Sequence, residues 1–168
     1  MSLERLWAGW RAAYVTGVDA DTAPDLGEDG CLFCRIFAMS DETSQVIHRG
    51  EHSIALLNAY PYTSGHCMVA PQRHLADLES LGPPEATELM AMTRAASIAL
   101  RVAYRPDGIN VGINMGRAAG AGVPGHLHVH VLPRWFGDTN FMTTVAEARV
   151  LPESLDMTLE RLRAAWPT

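Results

Sequence analysis

Apolar and polar positions alternate along this chain with two periods, one helical and one extended. Leu3, Leu6, Trp7, Trp10 and Tyr14 recur at helical spacing and predict a short amphipathic helix whose tryptophans face a core or an interface. Residues 16–30, rich in Gly, Asp and Pro, predict a surface loop ending at a cysteine pair. Extended runs at 45–49, 53–57 and 66–70, separated by Gly50-Glu51 and by residues 58–65, predict an antiparallel meander. The clearest helix spans 84–104. Proline starts it, Glu85 and Glu88 occupy its first turn, Arg101 and Arg105 its end, and Pro106 stops it. Its stripe of Leu89, Met92, Ala96, Leu100 and Ala103 suits one face of a sheet. Two more strands, 109–114 and 126–132, flank a glycine-rich connection, and a last helix covers 152–165. Strands gathered around one long helix, without alternating βαβ units, predict an α+β fold with a mainly antiparallel sheet.

The 168 residues are enough for one core and predict a single domain over 1–168, with 1–30 as a helix-and-loop extension. Apolar residues at 48% and charged residues at 19% exclude a disordered or coiled-coil chain. Neither a bilayer-length apolar run nor a secretory signal layout is found, so a cytoplasmic protein without a membrane partner is expected. In a reducing compartment the spacing Cys31-x-x-Cys34 favours a metal or redox site over a disulfide, while Cys67, in an apolar run, reads as a packing group. A net charge of -6 argues against a nucleic-acid groove. The acids are unevenly placed, however: residues 52–76 and 108–137 contain none, and these stretches hold His52, His66, His74, His126, His128 and His130 with Arg73, Arg117 and Arg134. An anionic small molecule can be accepted there despite the overall sign.

Chemistry concentrates in His126-Leu127-His128-Val129-His130. With a period of two, the three imidazoles share one face of an extended segment and Leu127, Val129 and Val131 the other. Three imidazoles turned inward each need hydrogen-bond partners, which makes incidental histidines a poor explanation. Two readings remain on the residues alone. His-x-His can hold a catalytic metal. Alternatively, the triad can act on an anion, and the preceding stretch from Asn114 to Gly125, with four glycines, lets backbone N–H groups approach one closely.

This pattern resembles the histidine triad superfamily. Leu6-Trp7-Ala8-Gly9-Trp10-Arg11, Cys31-Leu-Phe-Cys34, Leu57-Asn-Ala-Tyr-Pro-Tyr-Thr-Ser-Gly-His66 and Pro133-Arg-Trp-Phe-Gly-Asp-Thr-Asn-Phe-Met142 are similar to its bacterial branch of diadenosine tetraphosphate phosphorylases and hydrolases. The resemblance implies a two-layer protomer and a homodimer joining two sheets. It implies cleavage of the phosphoanhydride of a dinucleoside polyphosphate or related nucleotide conjugate, resolved by water or phosphate. His128 would be the nucleophile that becomes nucleotidylated, with no metal needed for that step, and His126 and His130 would orient it and donate to phosphate oxygens. Asn58 would meet the ribose, His66 would line the site, and Asn114 with Gly120, Ala121, Gly122 and Val123 would hold the phosphates. Many relatives carry Ser or Thr where this chain has Gly122, so the leaving-group hydroxyl is missing here. Some bacterial relatives bind a structural zinc; the matching residues are Cys31, Cys34, His74 and His126, which would complete a tetrahedral site. The readings of another class are a nucleotide-binding dimer with little turnover and a metal-dependent enzyme using the triad as ligands.

Overall fold

The computed structural model describes residues 30–41, 44–138 and 153–167. The expected N-terminal helix with Trp7 and Trp10, and residues 139–142 of the last motif, lie outside the described residues. The elements are α1 (Leu32–Ala38), β1 (Val46–Arg49), β2 (Ser53–Leu57), β3 (Cys67–Pro71), α2 (Pro83–Tyr104), β4 (Gly108–Ile113), β5 (Val129–Arg134) and α3 (Leu155–Ala164), with single 3-10 turns at Leu78–Ser80 and Arg117–Ala119. Every strand pair is antiparallel, in the order β1-β2-β3-β5-β4. The expected α+β fold and its meander are therefore present. Among the described residues, no helix is long and apolar enough to cross a membrane.

Helix α2 forms where its end signals place it. Pro83 occupies the first turn, and the Glu85 carboxylate accepts the Gly82 N–H across 2.7 Å, satisfying a backbone donor that the helix leaves over. Arg105 ends it in the left-handed region at φ 47, where Pro106 prevents continuation. Its buried residues Leu89, Met92, Ala96, Ala99 and Leu100 pack with Leu162 of α3 on one face of the sheet, against Ala55, Leu57, Cys67, Val69, Leu127, Val129 and Val131. Leu100 is fully buried, a transfer from water of about 1.5–3 kcal/mol. On the opposite face, Cys31 and Phe33 pack with Val46, Ile54, Leu56, Met68 and Ala70, joined by Ile36, Phe37 and Val123. Strands β2 and β3 lie between the two layers and are buried at every position.

Two details differ from the sequence expectation. The cysteine pair opens a helix, α1, that the local pattern does not predict and whose aromatic side chains cover the second face; residues 16–29 of the expected loop lie outside the described residues. The triad also begins before its strand. Ladder pairing of β5 starts at Val129, opposite Val69 and Ile113, whereas the Leu127 N–H donates to the Leu75 carbonyl and the His126 N–H to that of Val123. Loop carbonyls thus take the partners that a neighbouring strand would supply. The alternation of faces is unaffected: Leu127, Val129 and Val131 all enter the first core.

One glycine sets the entry to β3. Gly65 has φ 83, and a Cβ there would come within 3.0 Å of Leu100 Cδ2 and Tyr104 Cε2. Only glycine tolerates both the backbone angle and that approach, and the turn delivers His66 to the face opposite α2.

Candidate active site and metal centre

The three triad imidazoles reach three different partners. His128 donates its Nδ1–H to the His126 carbonyl across 2.8 Å, which fixes its tautomer and leaves the lone pair on Nε2. Phe33 packs on the same ring, 4.9 Å between centroids, and His130 stands edge-on at 4.9 Å. Burial pushes the His128 imidazole below its ordinary pKa, with the bond to the His126 carbonyl acting in the other direction. His130 is pushed down to about 4, by burial first and the neighbouring His128 second. At neutral pH, neutral imidazoles follow, the form in which Nε2 is nucleophilic.

His126 shares the face of this pair and packs on the same Phe33, but its ring nitrogens reach other partners. Its Nε2–H donates to the Pro71 carbonyl across 2.9 Å, so Nδ1 carries the lone pair, and that atom lies 3.3 Å from Cys31 Sγ and 3.6 Å from Cys34 Sγ. Cys34 Sγ is in turn 3.5 Å from His74 Nδ1. The ligand atoms of Cys31, Cys34, His74 and His126 all lie within 4.8 Å of one another. A tetrahedral zinc with ordinary Zn–S and Zn–N bonds has S···N edges of about 3.5 Å. The donor set and its spacing thus fit a four-coordinate ion, and the Pro71 carbonyl supplies the outer hydrogen bond that orients such an imidazole. Both His126 nitrogens are committed to protein groups, so its ring cannot make the phosphate donation that the triad pattern implies. What it presents to His128 is its backbone carbonyl. Burial holds the Cys67 thiol up at about 12, and it stays a packing group, as expected.

The connection from Asn114 to Gly125 rises beside the triad. Gly116 and Gly120 adopt φ 73 and φ 89, and the Asn114 amide reaches across to the Gly120 carbonyl at 3.5 Å. The Ala121 N–H returns to the Gly116 carbonyl at 3.3 Å. Among the described residues the N–H groups of Gly122 and Val123 make no hydrogen bond, and Val123 packs on the layer that holds Phe33. These two donors are available to an anion. A Cβ on Gly122 would meet nothing within 4 Å.

On the other side of His130, Asn58 closes a turn by accepting the Tyr60 N–H on Oδ1 at 2.9 Å, and its Nδ2 lies 3.3 Å from His66 Nδ1. His66 Nε2 and His130 Nδ1 are 2.9 Å apart. Tyr62 lies over both imidazoles, with centroids 4.6 Å from His66 and 6.1 Å from His130. Sequence reasoning singled out neither Tyr62 nor Phe33. Both sit inside quoted motifs, so proximity to Cys34 and His66 was the available signal.

A buried neutral imidazole with its Nε2 lone pair free, beside a glycine loop with unspent N–H groups, can hold an anion and attack it. The two-layer sheet that carries it identifies the lineage. The chain belongs to the histidine triad family: the HIT domain model matches residues 40–137. It is 41% identical over 165 residues to AP-4-A phosphorylase of Mycobacterium tuberculosis, covering 98% of this chain and 85% of that protein. It is 38% identical over 91 residues to the asymmetrical bis(5'-nucleosyl)-tetraphosphatase of Schizosaccharomyces pombe, covering 54% of this chain and half of that one. Among solved structures, a Zn-bound histidine triad family protein from Mycobacterium smegmatis matches with a TM-score of 0.67 and 31% identity, covering 83% of this chain and 94% of the other.

Proposed function

We propose that this protein cleaves the phosphoanhydride of dinucleoside polyphosphates, of the diadenosine tetraphosphate kind, through a nucleotide bound covalently to His128. The observation that carries the reading is the 2.8 Å bond from His128 Nδ1–H to the His126 carbonyl, which leaves the lone pair of a neutral ring on Nε2. In the first step Nε2 attacks the α-phosphorus. A P–N bond forms, the bridging P–O bond breaks, and its electron pair leaves on the departing phosphate oxygen. The N–H groups of Gly122 and Val123 stabilise the charge gathering on the phosphoryl oxygens. Asn58 meets the ribose, and the Asn114–Gly120 contact holds the loop in shape. Water or inorganic phosphate then attacks the same phosphorus: a P–O bond forms, the P–N bond breaks with its electron pair returning to His128 Nε2, and an attacking water gives up its proton to solvent. The 41% identity to a relative named a phosphorylase favours phosphate as the acceptor.

The metal assigned to Cys31, Cys34, His74 and His126 is zinc, in a structural role: it would tie α1 to the first triad residue and supply no chemistry to the phosphorus. The protein acts as a homodimer, with β4, at the sheet edge and with Val111 exposed, as the strand that meets its counterpart. Its three cysteines, none in a disulfide among the described residues, fit a reducing compartment such as the cytoplasm.

The test is product analysis after incubation with diadenosine tetraphosphate, with and without inorganic phosphate. ADP with ATP, dependent on phosphate, identifies a phosphorylase; AMP with ATP identifies a hydrolase. Unchanged substrate together with tight binding overturns the enzymatic reading in favour of a nucleotide-binding dimer.

A further inference from the structure

We propose that His66 is a positioning residue that locks the tautomer of His130, so that the third triad histidine presents Nε2–H to the site while His128 presents a lone pair. The assignment follows from one hydrogen bond whose direction cannot be reversed. The backbone N–H of Tyr62 donates to His66 Nδ1 at 3.2 Å. A backbone amide has no acceptor role at its nitrogen, so His66 Nδ1 must carry a lone pair, and the ring is neutral with its proton on Nε2. The Asn58 NH2 group, turned toward His66 because its Oδ1 accepts the Tyr60 N–H, lies 3.3 Å from Nδ1 and 3.4 Å from Nε2 and so does not discriminate between them; the Tyr62 N–H does. The 2.9 Å contact to His130 therefore has only one polarity, with His66 Nε2–H donating and His130 Nδ1 accepting. The proton of neutral His130 is left on Nε2. Among the described residues the His130 ring makes no second hydrogen bond, so that N–H is available to a ligand oxygen.

Two adjacent imidazoles, 4.9 Å apart between centroids, thus hold opposite tautomers. Each is set by a backbone group: the His126 carbonyl for one, and the Tyr62 N–H acting through His66 for the other. This arrangement holds His130 as a hydrogen-bond donor. His66, with both ring nitrogens engaged inside the protein, acts on the ligand only through His130. The use made of that donor, binding a phosphate oxygen, rests on the function proposed above; the tautomers do not.

The experiment is long-range proton–nitrogen correlation NMR on the metal-loaded, ligand-free protein with 15N-labelled histidine at neutral pH, with His130→Asn used for assignment. The expected spectrum shows His66 and His130 with the proton on Nε2 and His128 with it on Nδ1. In His66→Phe the His130 signal should lose its pure Nε2–H character. In His66→Gln, whose terminal amide can donate from nearly the same place, it should regain it, with kcat recovering in parallel and KM moving little. A His130 proton on Nδ1 in the wild type overturns the proposal, as does an unchanged His130 tautomer in His66→Phe. Should His66→Phe not fold, the wild-type spectrum still decides. No substrate is present in the NMR arm, so its failure is separate from failure of the phosphoanhydride reading, which product analysis alone would reveal.

Discussion

His128 donates its Nδ1–H to the carbonyl of the residue two before it, His126, over 2.8 Å. The acceptor is main chain, so any residue at 126 can supply it, whereas the Nε2 lone pair belongs to His128 alone. His128→Asn should therefore keep nucleotide binding and lose turnover by at least about three orders of magnitude, the scale seen when a covalent nucleophile is removed. His126→Asn should retain far more activity and lose metal. Kinetics on both variants, with intact-mass detection of a nucleotidyl adduct after quenching without acid, checks this. An adduct persisting in His128→Asn would refute the assignment.

Gly122 is a glycine by neither strain nor crowding. Its φ lies outside the left-handed region and a Cβ there would meet nothing within 4 Å. Gly122→Ser should fold with unchanged thermal stability and add a hydroxyl to the phosphate loop. Faster cleavage of substrates with poor leaving groups is expected, with smaller gains for good ones. Equal rates across a leaving-group series would show that the hydroxyl has no part in that step here.

The cluster of Cys31, Cys34, His74 and His126 predicts about one zinc per protomer in protein purified without chelators. Cys31→Ala should bind it poorly and melt several degrees lower, because closed metal sites contribute directly to folding. Metal analysis beside a thermal melt of each protein tests both halves. Wild type free of metal with an unaltered melting temperature would remove the centre from the structure's account.

Glu85 is held at about 2, first by the Arg73 guanidinium 2.8 Å away and then by the Gly82 N–H. The folded value is depressed, so its contribution is complete above the ordinary carboxylate pKa of about 4.3 and disappears as pH falls through the folded value. Glu85→Gln should melt below wild type near neutral pH, with the gap narrowing between about pH 4 and pH 2. A gap independent of pH over that range would mean that the carboxylate charge is not what matters.

Helix α2 and strands β2 and β3 were legible because their signals are local: prolines and Glu85 at one end, Pro106 at the other, and unbroken apolar runs between glycine-containing turns. The shared face of His126, His128 and His130 was legible for the same reason, since alternation survives even where the chain is extended but outside the ladder. Helix α1 was not. Seven residues give too few turns for a periodic signal. The position of β4 outside β5 is a tertiary outcome that no local pattern encodes. The partner of His66 Nδ1 is a main-chain N–H, which has no counterpart among side-chain motifs, so Tyr62 could not be found from residue type. The meeting of Cys31 and Cys34 with His74 and His126 was reachable only through family resemblance.

The four residues of the candidate metal centre would also set a timetable. Cys31 and His126 are 95 residues apart, and Cys34 and His74 are 40 apart. At a synthesis rate of about 5–20 residues per second, the first thiol leaves the ribosome roughly 5–20 s before the last imidazole. During that interval the cysteines have at most His74 to share an ion with, and His126 can reach them only once the segment leading into β5 has docked beside β3. An ion captured by all four donors therefore marks a chain whose sheet has closed, and ties the lifetime of its exposed thiols to the last stage of folding.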